Sequence, residues 1–296
     1  MTIPGDFFDL KAVFARGFLV WGAGRLYISP MKLRIPFIKK SPSVSVIRLN
    51  GAIAAGSRGS TLNDQGVSAL IERAFSKGKP DAVALVINSP GGSPVQSSLI
   101  AARIRRLADE KDVKVYAFVE DVAASGGYWL ACAADEIWVD DTSIVGSIGV
   151  IYASFGFHGL LEKQGVERRV YTAGKNKSML DPFREAKDED IEQIKMLQLQ
   201  IHDTFIDHVK ARRGARLVEN DDLFTGEIWV GQRSIDVGLA DGIGHVVPKM
   251  KEVFGDKVKF RVFGPKRGLL SRFGARIADD ALGLIEERSL FARFGL

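Results

Sequence analysis

Three short stretches of this 296-residue chain hold residue types that could do chemistry together. In Val122-Ala123-Ala124-Ser125-Gly126-Gly127-Tyr128-Trp129, a serine follows a strand-like run and opens an Ala-rich helical one. That placement exposes a hydroxyl near the unpaired N–H groups of a helix start, and Gly126 and Gly127 leave room for a substrate backbone. An ordinary serine N-cap before a glycine-rich turn would use the same residues. In Asn88-Ser89-Pro90-Gly91-Gly92-Ser93, two glycines follow a buried apolar run. Open α/β sheets bind ligands at that end of a strand. An N–H there, together with that of Gly126, could form an oxyanion hole, where one donor is worth roughly 100- to 1000-fold in rate. A plain Pro-Gly turn is the alternative.

A serine nucleophile needs a base. The four histidines, His158, His202, His208 and His245, are scattered. His202 and His208 lie six residues apart on one long helical stretch, and so on different faces. Lysine can serve when burial and neighbours ease the loss of its proton. The third stretch, Tyr171 to Phe183, offers Lys175 and Lys177 in a loop flanked by apolar residues. Residue physics alone does not choose between them, and a solvated loop lysine is the default.

The elements that must position these groups follow a β/α alternation. Val44–Leu49, Ala82–Ile87 and Val113–Val119 read as strands, the second so continuously apolar that both its faces must be covered. Leu62–Phe75 and the stretch from the glycine turn to Leu107 read as helices. Glu136–Val139, Gly149–Ala153 and Arg168–Tyr171 are further short strand candidates. Asp188–Arg212 reads as a long helix with Ile191, Ile194, Leu197, Ile201, Phe205 and Val209 near one face. Such alternation predicts a largely parallel sheet with right-handed crossovers. Three parts are expected: a basic amphipathic extension and linker over 1–43, a catalytic domain over 44–263, and a basic amphipathic tail over 264–296.

Composition excludes several classes. At 46% apolar and 26% charged residues the chain can build a sizeable core. The single cysteine, Cys132, allows no internal disulfide and sits in an Ala-rich run that reads as core packing. No histidine spacing suits a metal, so neither metal nor cofactor is expected. Residues 1–43 and 257–296 each carry a net +5 within a total of +5, which leaves the centre at −5. A nucleic-acid groove along that centre is therefore not expected, whereas the basic ends suit an anionic membrane surface or a partner. Arg16 and Arg25 interrupt the most apolar N-terminal stretch, so no clear transmembrane span is expected.

Taken in order, N-S-P-G-G, D-V-A-A-S-G-G-Y-W, G-S-I-G-V and T-A-G-K-N-K-S-M-L-D-P-F resemble the signal peptide peptidase A family, including its SohB-like members, from about Ser45 to Gly244. The resemblance implies an α/β fold of the Clp protease and crotonase type, built from repeated β-β-α units, with helical N- and C-terminal extensions. It implies a Ser-Lys dyad: Ser125 as nucleophile, Lys177 as general base, Ser147 helping to orient the lysine, and Gly92 in the oxyanion hole. Gly126 joins Gly92 by the general rule that the amide after the nucleophile often lines the hole. Thr225–Gly231 and Gly238–Gly244 look like the family's closing motif, with a structural role.

The implied activity is endopeptidase cleavage through an acyl-enzyme, on signal-peptide remnants or membrane-associated polypeptides. The implied setting is a homo-oligomer in the cytoplasm or at the periphery of a bacterial-type cytoplasmic membrane. Two rivals make different demands. A crotonase-like acyl-CoA enzyme would use the paired amides on a thioester enolate and leave Ser125 unlabelled by serine-reactive probes. A non-catalytic membrane scaffold of the same fold would bind lipid without turnover.

Overall fold

The computed structural model describes residues 41–56, 61–264 and 288–296. The amphipathic extension expected over 1–43 lies outside them except for its last three residues, and most of the expected tail lies outside as well. The elements run β1 (Ser43–Asn50), α1 (Asp64–Ser76), β2 (Ala82–Ser89), α2 (Pro94–Lys111), β3 (Lys114–Ala124), α3 (Gly126–Ala131), β4 (Glu136–Val139), β5 (Ile144–Gly146), α4 (His158–Lys163), α5 (Asp188–Arg213), β6 (Ile228–Val230), α6 (Gln232–Asp236), β7 (Gly242–Ile243), α7 (Val246–Phe254) and β8 (Lys259–Phe263). Strands and helices alternate, except that β5 follows β4 directly and α5 follows α4.

Eight strands form one sheet in the order β6-β5-β3-β2-β1-β8, with β4 beside β3 and β7 beside β4. Every pairing is parallel except β5 with β6. The continuous apolar run of β2 has its predicted place: Ala82 to Ile87 are all buried, flanked by β1 and β3 and covered on both faces. One face carries Ile47, Leu85, Ile87 and Val119 against Ile71, Ile100 and Ile104 of α1 and α2. The other carries Val46, Val86, Tyr116 and Phe118 against Met250 and Phe254 of α7.

The eleven-residue β3 does double duty. Its first half pairs with β4 (Phe118↔Trp138) and its end with β5 (Ala124↔Gly146). Between β2 and β3 the register shifts from Ile87↔Val119 to Ser89↔Ala123. Irregularities of this kind re-aim a strand next to a site, and this one sets the Ser89–Gly92 turn against the Ser125 turn.

Two strand expectations fail. Gly149–Ala153 and Arg168–Tyr171 form no strand; both belong to a stretch that leaves the sheet after β5 and has no ladder neighbour among the described residues. No residue from 151 to 187 is fully buried. The expected apolar face of α5 is buried only towards its C-terminus, at Phe205 and Val209, while Leu197 stays 41% exposed. Among the described residues, no helix is long and apolar enough to cross a membrane.

Candidate active site

Ser125 joins β3 to α3 with φ 51° and ψ −119°. A side chain at positive φ is uncommon, and such a conformation costs of order 1–3 kcal/mol. Its surroundings enforce it. The Ser125 N–H donates to the Gly146 carbonyl on β5 (2.8 Å), and the Ser125 carbonyl accepts from Trp129 N–H in the first turn of α3 (3.0 Å). Gly91 packs directly beneath: a β-carbon there would stand 2.9 Å from Ser125 Cβ and 2.7 Å from the Ala124 carbonyl oxygen. The side chain of Ser125 makes no capping hydrogen bond to α3. The strain therefore holds up a hydroxyl not spent on capping.

The second turn supplies amides. Gly91 and Gly92 have φ of 96° and 137°, which glycine alone adopts freely. Ile53 N–H donates to the Gly91 carbonyl (2.8 Å) and Ser93 N–H to the Ile53 carbonyl (2.7 Å), so the Gly92 N–H takes part in neither bond. A β-carbon on Gly92 would overlap the Ile53 carbonyl. Gly126 is the first residue of α3, where an N–H has no helical acceptor. The two amides are neighbours, since a β-carbon on Gly126 would lie 3.4 Å from Gly92 N.

Ser125, Gly92 and Gly126 line one cleft. Its remaining wall is apolar: Pro94, Trp129, Val150, Ile201 and Phe205, with Gly149 between. Trp129 stacks on Phe205 and on the His208 ring, each with centroids 4.8 Å away. Burial pushes the proton affinity of His208 down, although its bond to the Trp129 carbonyl opposes this. The cleft therefore combines a serine and two glycines with an apolar wall.

The other expected residues are placed as follows. Ser147, also at positive φ (51°), is half-buried and donates its N–H to the Glu227 carbonyl (2.7 Å). It directly follows Gly146, whose carbonyl Ser125 grips. Lys177 is exposed, in a turn where its N–H meets the Gly174 carbonyl (3.2 Å), and it does not line the Ser125 cleft. Lys175 pairs loosely with Glu189 (3.5 Å) on the open surface. Within this single chain the serine and the lysine do not line the same cleft.

The closing motif anchors α3 from behind. Tyr128 donates its hydroxyl to the Leu239 carbonyl (2.8 Å). Asp241 takes two bonds from the buried Arg213 (2.7 and 3.1 Å) and one from the Ile137 amide (2.7 Å). Burial works to raise the Asp241 carboxyl, but the Arg213 hydrogen bond, the Ile137 amide and the charges of Arg213 and Arg216 hold it below its ordinary value. Sequence reasoning missed the cleft wall. Trp129 stood in the serine motif and Ile201 and Phe205 stood on the apolar face of α5, but nothing in the sequence joined them. Among the described residues, no group of three or more His, Cys, Asp or Glu could hold a metal ion.

The comparisons with known proteins set this parallel α/β sheet, with its strained serine at a strand end, among the serine-type peptidases. The sequence profile of peptidase family S49 matches residues 107–254. The chain belongs to that family, and relatives that carry the SohB and SppA names match it. Two proteins named Na(+)/H(+) antiporter NhaA, from Brucella melitensis and Brucella abortus, are 51% identical over 271 residues. The match covers 86% of this chain and 37% of theirs, so the chain spans little more than a third of the length of these relatives. A Haemophilus influenzae protein named "Probable protease SohB" is 32% identical over 255 residues, covering 85% of this chain and 69% of that one. Among solved structures, a Ser-to-Ala mutant of the 1510-N membrane-bound stomatin-specific protease aligns with a TM-score of 0.48 at 15% identity, over 76% of this chain and 99% of that one.

Proposed function

We propose that this chain is a serine endopeptidase in which Ser125 attacks the peptide carbonyl and Lys177 is the general base. The observation that carries the reading is the cleft itself: a strained serine, its hydroxyl free of capping duty, beside the Gly92 and Gly126 amides. Lys177 takes the Ser125 proton as the tetrahedral oxyanion forms, and the two amides hold that oxyanion. The protonated lysine then passes its proton to the leaving amine. Water next resolves the acyl-enzyme by the same relay, with Ser147 orienting the lysine. The chemistry uses only side chains and backbone amides.

Bringing Lys177 to a serine requires the 151–187 stretch to dock on protein. That stretch exposes Phe155 (80%), Tyr171 (90%) and Ile151 (67%), large apolar side chains that a second copy of the chain would cover. We therefore read the active form as a homo-oligomer. A lysine desolvated by such docking gives up its charge more readily. The apolar wall suits small or apolar side chains in an extended peptide, as in signal-peptide remnants or membrane-associated polypeptides. The basic ends suit peripheral contact with an anionic membrane surface, on the cytoplasmic side or from the cytoplasm.

Labelling with a fluorophosphonate tests the reading. The wild-type protein should be labelled at Ser125, Lys175→Ala should keep most of that labelling, and Lys177→Ala and Ser125→Ala should lose it. Full labelling and cleavage by Lys177→Ala would remove the dyad.

A further inference from the structure

We propose that His202 and Gln198 are positioning residues of this site, gripping from α5 the main chain that forms the cleft wall beyond Ser147. The proposal rests on the peptidase reading above. His202 Nε2 lies 3.0 Å from the Ile148 carbonyl oxygen, and Gln198 Nε2 donates to the Val150 carbonyl (3.3 Å). The two side chains are four residues apart on a helix, about 6 Å along its axis at 1.5 Å per residue. Carbonyls two residues apart in an extended chain point to the same side about 6.6 Å apart. The helical and extended repeats match, so α5 supplies at these two points the donors that a neighbouring strand would supply. This accounts for the absence of a strand at Gly149–Ala153 despite its strand-like sequence.

The gripped stretch matters because of what it carries. At its start, Gly146 accepts the Ser125 N–H and Ser147 donates to Glu227. Ile148 is fully buried, while Gly149 and Val150 line the cleft opposite Gly92. Beyond Val150 the chain runs into exposed surface, so the two α5 donors are its last tether before that surface.

The same contact defines what His202 does. A ring nitrogen that meets a carbonyl oxygen must carry the proton, so Nε2 of His202 has no lone pair to offer Ser125. The Nε2 of His208 is committed in the same way to the Trp129 carbonyl (3.3 Å). Through Nε2, both histidines of α5 hold backbone carbonyls.

The test compares cleavage of an internally quenched peptide of alanine and leucine, and fluorophosphonate labelling, in the full chain. His202→Leu and Gln198→Leu should each lower kcat/KM and labelling rate about tenfold. His202→Gln should stay within about twofold of wild type, because its amide nitrogen reaches the place of Nε2. Equal collapse of His202→Leu and His202→Gln would overturn the proposal, since the ring would then act other than as a donor. Unchanged kinetics in both Leu variants would overturn it too. If His202→Leu fails to fold, the half-buried Gln198→Leu, checked by its melting temperature, decides. Ser125→Ala run in parallel separates the two failures: cleavage that survives it sinks the peptidase reading, whereas Ser125-dependent cleavage indifferent to His202 and Gln198 sinks this proposal alone.

Discussion

The backbone N–H of Ser125 is fastened to the carbonyl of Gly146 at 2.8 Å, so the serine that ends β3 is tied to the strand that leads into Ser147. The tie is an extension of the β3–β5 ladder, in which Ala124 already pairs with Gly146. It holds Ser125 in a conformation that its side chain disfavours.

Strain of this kind should be visible as a trade between activity and stability. Replacing Ser125 with glycine removes both the nucleophile and the conformational cost. Ser125→Gly should melt higher than wild type, by a few degrees for a gain of about 1 kcal/mol, with no peptidase activity. Differential scanning calorimetry checks this, and a lower melting temperature would show that Ser125 is not strained.

Gly126 tests how tightly the two turns are packed. A β-carbon there would overlap Ser97 Oγ on α2 and stand 3.3 Å from Ile53 Cδ1. Gly126→Ala should destabilise the fold by about 1–3 kcal/mol and lower activity. Adding Ser97→Ala, which clears the nearest atom, should recover part of the stability. A double-mutant cycle in urea reads the coupling, and strict additivity would mean that the clash is relieved elsewhere.

Asp241 gives the fold an acid limb. Its carboxyl is held below the ordinary 3.8, so the unfolded chain binds that proton more readily than the folded one. The stabilisation is complete above the ordinary value and is lost as pH falls through the lowered folded value. Asp241→Asn should flatten the loss of stability below about pH 4. At neutral pH it should cost about 3–5 kcal/mol, because Arg213, only 1% exposed, loses its partner. Urea unfolding between pH 3 and 7 measures both effects.

Cys132 should be inert. It is fully buried, and burial pushes its thiol up to about 12 despite the opposing charge of Arg213. Iodoacetamide at pH 8 should leave the native protein unmodified and alkylate it in guanidinium. Rapid modification of native protein would place Cys132 on a surface that opens.

The parts of the fold legible in the sequence were those whose burial pattern is local. Ala82–Ile87 reads as a doubly covered strand because its own residues are all apolar, and α1 shows in the helical spacing of Leu62–Phe75. Gly149–Ala153 has a strand's composition, but its register partners are side chains of α5, some fifty residues further on, which no local pattern reveals. Arg168–Tyr171 and the outward residues of α5 show the same limit from the other side, since apolar spacing states that a face must be covered without stating by what. At the site, Ser125 and Gly92 were singled out by their glycine-rich turns and by motif order, and Gly126 by following Ser125. Ile201 and Phe205 were not, because a cleft wall asks only for apolar bulk. Lys177 was named by motif order alone, and the single chain leaves it at the surface.

The pairing of β1 with β8 joins Val44 to Phe260, the first strand of the sheet to the last in chain order. On a ribosome that emits the chain from its N-terminus, β1 can pair with β2 early, but its other edge waits more than two hundred residues for β8. Throughout that wait the growing chain presents an unpaired edge beside Val44 and Val46, the kind of surface that recruits other unfinished chains. Synthesis that stalls before Lys259 would therefore release a product with its nucleophile turn in place and that edge still open.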